Sequence, residues 1–317
     1  MKAEHIDAIP LSKDEALSYA RLAAGEYRHT KIEKAKYLGG GSFGRAVGIT
    51  FSDGQKIVVK ILRADGMLEK ESFDLALLKR HCTEKIPEVL FVRKKDSKLP
   101  LDCYGMEHIE GKNALMALGM LFLTKKRRLE FADRVTDALH SLHTCQSDRF
   151  GDTQSPDCTT WQEFYRPFAE QVLKKAEELG KDGKLGADVV STMQAAWKKF
   201  DIIFSENVEK ACLIHGDLNV ANIMVGKKYK VTGFIDPLNS MYADREYDLF
   251  QFDNLTGKRF FLRETYLKKY GASKYCMQKL AFYGLWNEVF CYIRSGALFN
   301  IILKPLVKNM KRRLKEL

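Results

Sequence analysis

The sequence predicts an α+β protein of two lobes, a small β-rich N-terminal lobe followed by a larger helical C-terminal lobe. The first observation behind this is length. A chain of 317 residues suits two lobes and buries a sizeable core without covalent staples. The second is a change of texture near residue 110. Short β-rich runs broken by glycines give way there to stretches of helical period. The third is that one β interlude inside the helical half, residues 212–237, gathers polar residues of types that chemistry uses.

Residues 1–34 form a leader with one amphipathic helix. Ser12 caps it, Glu15 completes a capping box, and Ala16, Leu17, Tyr19, Ala20 and Leu22 follow at helical spacing. Residues 35–110 form the N-terminal lobe. Lys36 to Leu62 reads as strand, glycine loop, strand, turn at Ser52-Asp53-Gly54, and strand. Met67 to Cys82 is a helix, with Leu68, Phe73, Leu75, Leu78 and Cys82 near helical spacing, ended by Ile86-Pro87. Val89–Arg93 and Leu101–Ile109 are two more strands. Residues 111–317 form the helical lobe. Ala114–Leu123, Leu129–Thr144, Trp161–Leu179 and Ala187–Val208 carry helical period, the β interlude spans Leu213–Asp236, and helix fills Tyr247 to the end. No internal repeat is visible.

Composition narrows the function classes. Fifty-two Lys and Arg against 41 Asp and Glu give a net charge of +11, which suits an anionic partner without choosing one. Seven cysteines, scattered and without C-x-x-C, argue against a disulfide scaffold or zinc ribbon and for a reducing cytoplasm. The N-terminus has no apolar signal region. The longest apolar stretch, Ala114–Leu123, is far short of the roughly 20 residues that span a bilayer. The basic runs at Lys125–Arg128 and in the tail from Lys304 lack a base-reading helix or stacking aromatics, so no nucleic-acid partner is expected. His140 and His143 sit three apart on a helix with no third ligand nearby and read as packing residues.

In CLIHGDLNVANIMVGKKYKVTGFIDP, a short apolar run leads into His215-Gly216-Asp217, and Asn222 follows Asp217 by five residues. A hairpin then delivers Asp236. Asp217, Asn222 and Asp236 thus end short buried strands close in space. Phosphoryl transfer needs such a set: one carboxylate to orient an acceptor hydroxyl and take its proton, and an amide oxygen with a second carboxylate to hold Mg²⁺ on the phosphates. The step from Asp to Asn matches the H-R-D-x-x-x-x-N loop of protein kinases. A polar turn beside an ordinary hairpin is the bland alternative. Gly39, Gly41 and Gly44 place G-x-G-x-x-G around Ser42 and Phe43. Strand, not helix, follows, so these glycines belong to a β-hairpin rather than a dinucleotide-binding turn, and no G-K-[ST] ends the loop. Val58-Val59-Lys60-Ile61 resembles the strand that sets a lysine on nucleotide phosphates. An ammonium among apolar neighbours needs a partner, which the next helix supplies as Glu71 or its rival Glu69. Asp248 either caps a helix or braces the Asp217 loop.

HGDLNVAN followed by Ile235-Asp236 resembles the aminoglycoside phosphotransferase superfamily of small-molecule kinases, from about Tyr37 to about Ala297. Asp236 is followed by Pro237 rather than Phe-Gly, unlike in protein kinases. GGGSFGRAVGITFSDGQKIVVKI, TTWQEFYRPFAEQVLKKAEELG, DREYDL and FYGLWNEVFCY are most similar to the fructosamine (ketosamine) kinase branch. That branch favours tryptophan after HGDL, where this chain has Asn219. The resemblance implies a protein-kinase-like bilobal fold and an ATP- and Mg²⁺-dependent kinase acting on a small-molecule hydroxyl, of a fructosamine or amino-sugar type. It implies Asp217 as the catalytic carboxylate, Asn222 and Asp236 as Mg²⁺ ligands, and Lys60 on the ATP phosphates, paired with Glu71. Gly39, Gly41, Ser42, Phe43 and Gly44 would cover the phosphates, and the backbone at Glu107 and Ile109 would meet adenine. Carboxylates near Asp217 and in Asp244–Asp248 would attract an acceptor amine. An aminoglycoside or choline-type acceptor, or an idle nucleotide-binding module, stays open.

Overall fold

The first helix starts where its capping box sets it. In the computed structural model, which describes residues 2–317, Glu15 N donates to Ser12 Oγ at 3.2 Å and Ser12 N donates to Glu15 Oε2 at 2.8 Å. The helix α1 (Lys13–Tyr27) buries Ala16, Ala20, Ala23 and Ala24, a face of small residues that lets it lie close on a sheet. That sheet contains β1 (Ile32–Gly39), β2 (Gly44–Phe51), β3 (Lys56–Leu62), β4 (Val89–Arg93) and β5 (Cys103–Glu107), in the order β1-β2-β3-β5-β4 and antiparallel throughout. Val47, Ile49, Ile57, Val59, Ile61 and Cys103 pack with α1 in a core of their own. The helix α2 (Met67–His81) links β3 to β4 and turns Leu68, Leu75 and Leu78 into a second, larger core.

The larger core belongs mainly to the C-terminal half. There β6 (Lys112–Asn113) is followed by α3 (Lys125–His143), β7 (Gln146–Ser147), β8 (Phe150–Asp152), β9 (Pro156–Cys158), α4 (Trp161–Lys181), α5 (Ala187–Trp197) and α6 (Phe200–Ile203). Then come β10 (Ala211–Leu213), β11 (Ile223–Val225), β12 (Val231–Phe234), β13 (Met241–Ala243), α7 (Glu246–Leu249), α8 (Leu262–Tyr270), α9 (Cys276–Ser295) and α10 (Asn300–Leu314). The short strands make two small sheets, β7-β10-β13-β8-β9 and β12-β11-β6. The central helix α9 is buried nearly all round; Trp286 stacks on Phe282 with ring centroids 3.6 Å apart and donates from Nε1 to Ala169 O at 2.9 Å. Among the described residues no helix is long and apolar enough to cross a membrane.

Two expected helices differ. Ala114–Leu123 is not α-helical. Ala114 N donates to Ile223 O at 2.8 Å and Leu115 N to Val220 O at 3.1 Å, so the chain is drawn out along the β11 hairpin and closes only a 3₁₀ turn at Leu118–Phe122. Ala187–Val208 breaks after Trp197. The single turn α6 then buries Phe200 and Ile203, with Phe204 beside Phe282. The strand expected over Leu101–Ile109 is confined to Cys103–Glu107. Residues ahead of α1 touch both halves: Ile6 N donates to Arg294 O on α9, and Ile9 N donates to Arg63 O just after β3.

One buried ion cluster ties α7 to α9. Lys279 Nζ lies 2.6 Å from Asp244 Oδ2 and 2.7 Å from Glu246 Oε2, and all three side chains are about 95% or more buried. Removing one partner of a buried pair leaves an uncompensated charge. Lys279→Met is therefore expected to lower the unfolding free energy by about 3–5 kcal/mol, measured by denaturant unfolding. A loss below about 1 kcal/mol, the size of an exposed pair, would contradict this role.

Candidate active site

Lys60 lies in the central strand β3, opposite Ala46 on one side and Tyr104 on the other. Its ammonium is 2.8 Å from Glu71 Oε2 on α2 and 2.7 Å from Asp236 Oδ1 after β12. Tyr104 also donates its hydroxyl to Glu71 Oε2 at 2.8 Å. Burial opposes the charge on Lys60, but Tyr104, Asp236 and Glu71 outweigh it and hold the group well above its ordinary pKa. Of the two candidate partners on α2, Glu71 is the buried one. Glu69 points outward and pairs with Lys94 at 2.8 Å.

Asp217 and Asn222 lie on one tight loop. Asn222 Nδ2 donates to Asp217 Oδ2 at 2.9 Å and to Asp217 O at 2.8 Å, while Asn219 Nδ2 donates to Asp217 Oδ1 at 2.9 Å. Burial and the neighbouring Asp236 charge push the Asp217 carboxyl up to about 7, against the two amide hydrogen bonds that favour ionisation. Lys60, by its charge, pulls Asp236 below the ordinary carboxylate range. Asp236 has φ 56°, left-handed backbone that aspartate enters more readily than most residues. Gly216, at φ +80°, needs its glycine. A Cβ there would stand 2.2 Å from Leu238 O.

The loop is braced from below. Asp248 Oδ2 accepts from His215 N at 2.8 Å and Asp248 Oδ1 from Gly216 N at 2.7 Å. His143 Nε2 lies 3.2 Å from Asp248 Oδ2, with its Nδ1 2.6 Å from the Tyr266 hydroxyl. Asp248 thus braces the loop, and His143 packs and orients it. Burial lowers the His215 pKa to about 4, so the ring is neutral near pH 7. Its Nδ1 accepts from Asp217 N at 3.3 Å. The expected acceptor carboxylates are otherwise engaged. Asp244 and Glu246 share Lys279, Asp248 accepts from two backbone amides, and all three are buried, so none of them is available to an acceptor amine.

The glycine loop closes between β1 and β2. Arg45 Nη1 donates to Gly41 O at 2.6 Å and Gly44 O at 3.0 Å. Arg63 donates from Nη1 to Ser42 O at 3.0 Å and from its backbone N to Phe43 O at 2.8 Å. These bonds occupy the loop's carbonyls, while the amides of Gly41, Ser42 and Phe43 donate to no protein group among the described residues. Gly39 has φ +138° at the end of β1, and a Cβ on Gly44 would stand 3.0 Å from Lys60 Cε. Phe43 lies under the Arg294 guanidinium of α9, 4.8 Å from its ring centre. At the end of β5, Glu107 N is taken by Glu88 O at 2.9 Å, and the Glu107 carboxylate by Lys85 and Glu88 N. The backbone of the buried Ile109, in contrast, bonds to no other backbone group among the described residues.

Lys60, Glu71, Asp217, Asn222 and Asp236 therefore converge between the lobes, with Gly44 of the glycine loop against Lys60. The sequence did not reveal Tyr104, Asn219, Arg45, Arg63 or Arg294. None of these carried a local sequence signal for its role.

Comparison with known proteins shows the family and the fold. The model of the phosphotransferase enzyme family matches residues 35–283, and the chain belongs to that family. No curated protein matches the chain. Among solved structures, a protein assigned as a fructosamine-3-kinase from Thermobifida fusca is similar at 19% identity and TM-score 0.67, over 92% of this chain and 98% of that one. The GDP complex of aminoglycoside 2'-phosphotransferase-IIIa is similar at 13% identity and TM-score 0.68, over 95% and 98%. The streptomycin–ATP complex of APH(2")-IIa is similar at 16% identity and TM-score 0.62, over 96% and 97%.

The raised Asp217 pKa has a sign that stability measurements can read. Folding keeps a proton on Asp217 that the unfolded chain releases near pH 4, so this group favours folding less as pH rises towards about 7. The difference in unfolding free energy between Asp217→Asn and wild type is expected to move in the variant's favour from about pH 4 to about pH 7 and to stay level above that. A difference independent of pH would contradict the shift.

Proposed function

We propose that this phosphotransferase moves the γ-phosphoryl group of ATP, with Mg²⁺, to a hydroxyl of an amine-bearing small molecule of the fructosamine or amino-sugar type. The observation that carries this reading is the convergence of Lys60, Glu71, Asp217, Asn222 and Asp236 on one cleft. Family membership and the nucleotide and aminoglycoside complexes of structural neighbours support it. On this reading residues 35–110 hold the nucleotide, and residues 111–317 supply the catalytic loop and the acceptor site.

The donor set fits a hard cation. Asn222 uses its Nδ2 on Asp217, leaving its Oδ1 for a ligand, and Asp236 uses Oδ1 on Lys60, leaving Oδ2. Among the described residues no group of three or more His, Cys, Asp or Glu could hold a metal alone. One carboxylate and one amide oxygen, completed by phosphates and water, suit Mg²⁺. When bound, it would neutralise charge on the phosphates.

Lys60, kept charged by its neighbours, would meet the phosphates, and the free amides of Gly41, Ser42 and Phe43 would close over them. Ile109 would offer its backbone to the base. Asp217, held by Asn219 and Asn222, would orient the acceptor hydroxyl and take its proton. A carboxyl near pKa 7 is a better proton acceptor than an ordinary aspartate. Most of the acceleration would be positioning and charge neutralisation.

The test is Mg²⁺-dependent ADP release over fructosamines, ribulosamines, aminoglycosides, choline and simple sugars. Stimulation by one amine-bearing class is expected. Asp217→Asn should keep ATP affinity within about twofold and lower turnover roughly 10²–10⁴-fold, the usual reach of acid–base catalysis. ATP binding with no stimulated release by any acceptor would favour an idle nucleotide-binding module.

A further inference from the structure

Beside the Lys60 bridge stands a second cation that nothing above uses. Lys70 is the residue before Glu71 on α2 and leaves the helix on its C-lobe side. Its ammonium contacts four groups: Asp74 at 2.8 Å, Thr153 Oγ1 at 2.9 Å, Ser240 O at 2.8 Å and Asp152 Oδ2 at 3.1 Å. Asp74, also on α2, is only 3% exposed and accepts the Thr153 hydroxyl as well. Ser240 continues the path, since its Oγ donates to His215 O at 3.0 Å.

These contacts join the same parts of the protein that Lys60 joins. Lys60 ties α2, through Glu71, to Asp236; Lys70 ties α2 to Ser240, four residues further along the same segment, and through it to the Asp217 loop. The two ties differ in one respect. On the reading proposed above, nucleotide and Mg²⁺ draw Lys60 and Asp236 apart, one to the phosphates and the other to the cation. The first tie then opens during every turnover. The second contains no group that meets nucleotide, and it persists.

We infer that Lys70, with Asp74 and Thr153, is a positioning latch that holds α2 against the C-terminal lobe when nucleotide breaks the Lys60–Asp236 bridge, so that Glu71 stays in place to orient Lys60. Partly buried ion pairs carrying extra hydrogen bonds to backbone and hydroxyl groups fix geometry far better than exposed pairs. The cluster joins α2 to two separate segments of the C-terminal lobe, Asp152-Thr153 and Ser240, which a pair serving only the local stability of α2 would not need.

The inference rests on ATP·Mg²⁺ binding in this cleft, and the test separates the two. ATP affinity is titrated with Mg²⁺ present, and amide hydrogen exchange over residues 67–81 is followed with and without ATP·Mg²⁺. The proteins compared are wild type, Lys70→Arg, Thr153→Val and the double variant Lys70→Met with Asp74→Asn, which leaves no buried charge unpaired. In wild type, α2 should stay protected when ATP·Mg²⁺ binds. In the double variant, ATP·Mg²⁺ should loosen α2 and affinity should fall about tenfold, a usual size for coupling between sites. Thr153→Val should show the same effects in smaller degree, and Lys70→Arg should restore most of the affinity. A mere stabilising role would lower α2 protection equally with and without nucleotide, and that result overturns the latch. Unchanged protection and affinity in both the double variant and Thr153→Val also overturn it. Failure of wild type to bind ATP·Mg²⁺ would overturn the underlying reading and the latch with it.

Discussion

The Lys60 ammonium sits where three elements meet. A cation placed among the side chains of β3 cannot stand alone, and its two carboxylate partners come from different lobes. Glu71 arrives on α2 and Asp236 at the end of the β11–β12 hairpin. This one bridge fixes how far α2 stands from the sheet and how the Asp236 loop faces the N-terminal lobe. It also brings the lysine, the two cation-binding candidates and Asp217 to one cleft. The larger core supports the same geometry, because Leu68, Leu75 and Leu78 of α2 pack with C-lobe residues rather than under α1.

A second constraint acts on the loop that carries Asp217. Asp248 is fully buried and spends its carboxylate on two consecutive amides, His215 and Gly216, with His143 closing the arrangement. Amide bonds to a buried carboxylate are strong and directional, so the loop is held through its backbone as well as through the Asn219 and Asn222 bonds to Asp217. The cost is borne by Asp217 itself. Its proton is held up to about pH 7 by burial and by Asp236, the kind of perturbation that marks functional sites.

Much of this was legible in the sequence because the relevant signals are local. The capping box at Ser12 and Glu15, the turn at Ser52-Asp53-Gly54 and the hairpin that delivers Asp236 each depend on residues a few positions apart. Lys60 was legible because an ammonium in an apolar strand demands a partner, and Glu71 because it continued the buried face of α2. What escaped depends on tertiary contacts. Ala114–Leu123 has helical period, yet its amides are claimed by Val220 and Ile223, about a hundred residues away. Asp244 and Glu246 look like free acids until Lys279 is brought beside them by α9. Nothing local marks Lys70, since Thr153 and Ser240 lie far off in the chain. Arg294 gives no hint that it rests on Phe43.

On the proposed function Asp236 leaves Lys60 to share a cation with the nucleotide, and binding of ATP with and without Mg²⁺ to wild type and to Asp236→Asn tests this most directly. Calorimetric titration should show Mg²⁺ tightening ATP binding to wild type, with most of that gain lost in the variant while metal-free ATP binds it at least as well. An undiminished Mg²⁺ effect in Asp236→Asn would contradict the assignment of the cleft.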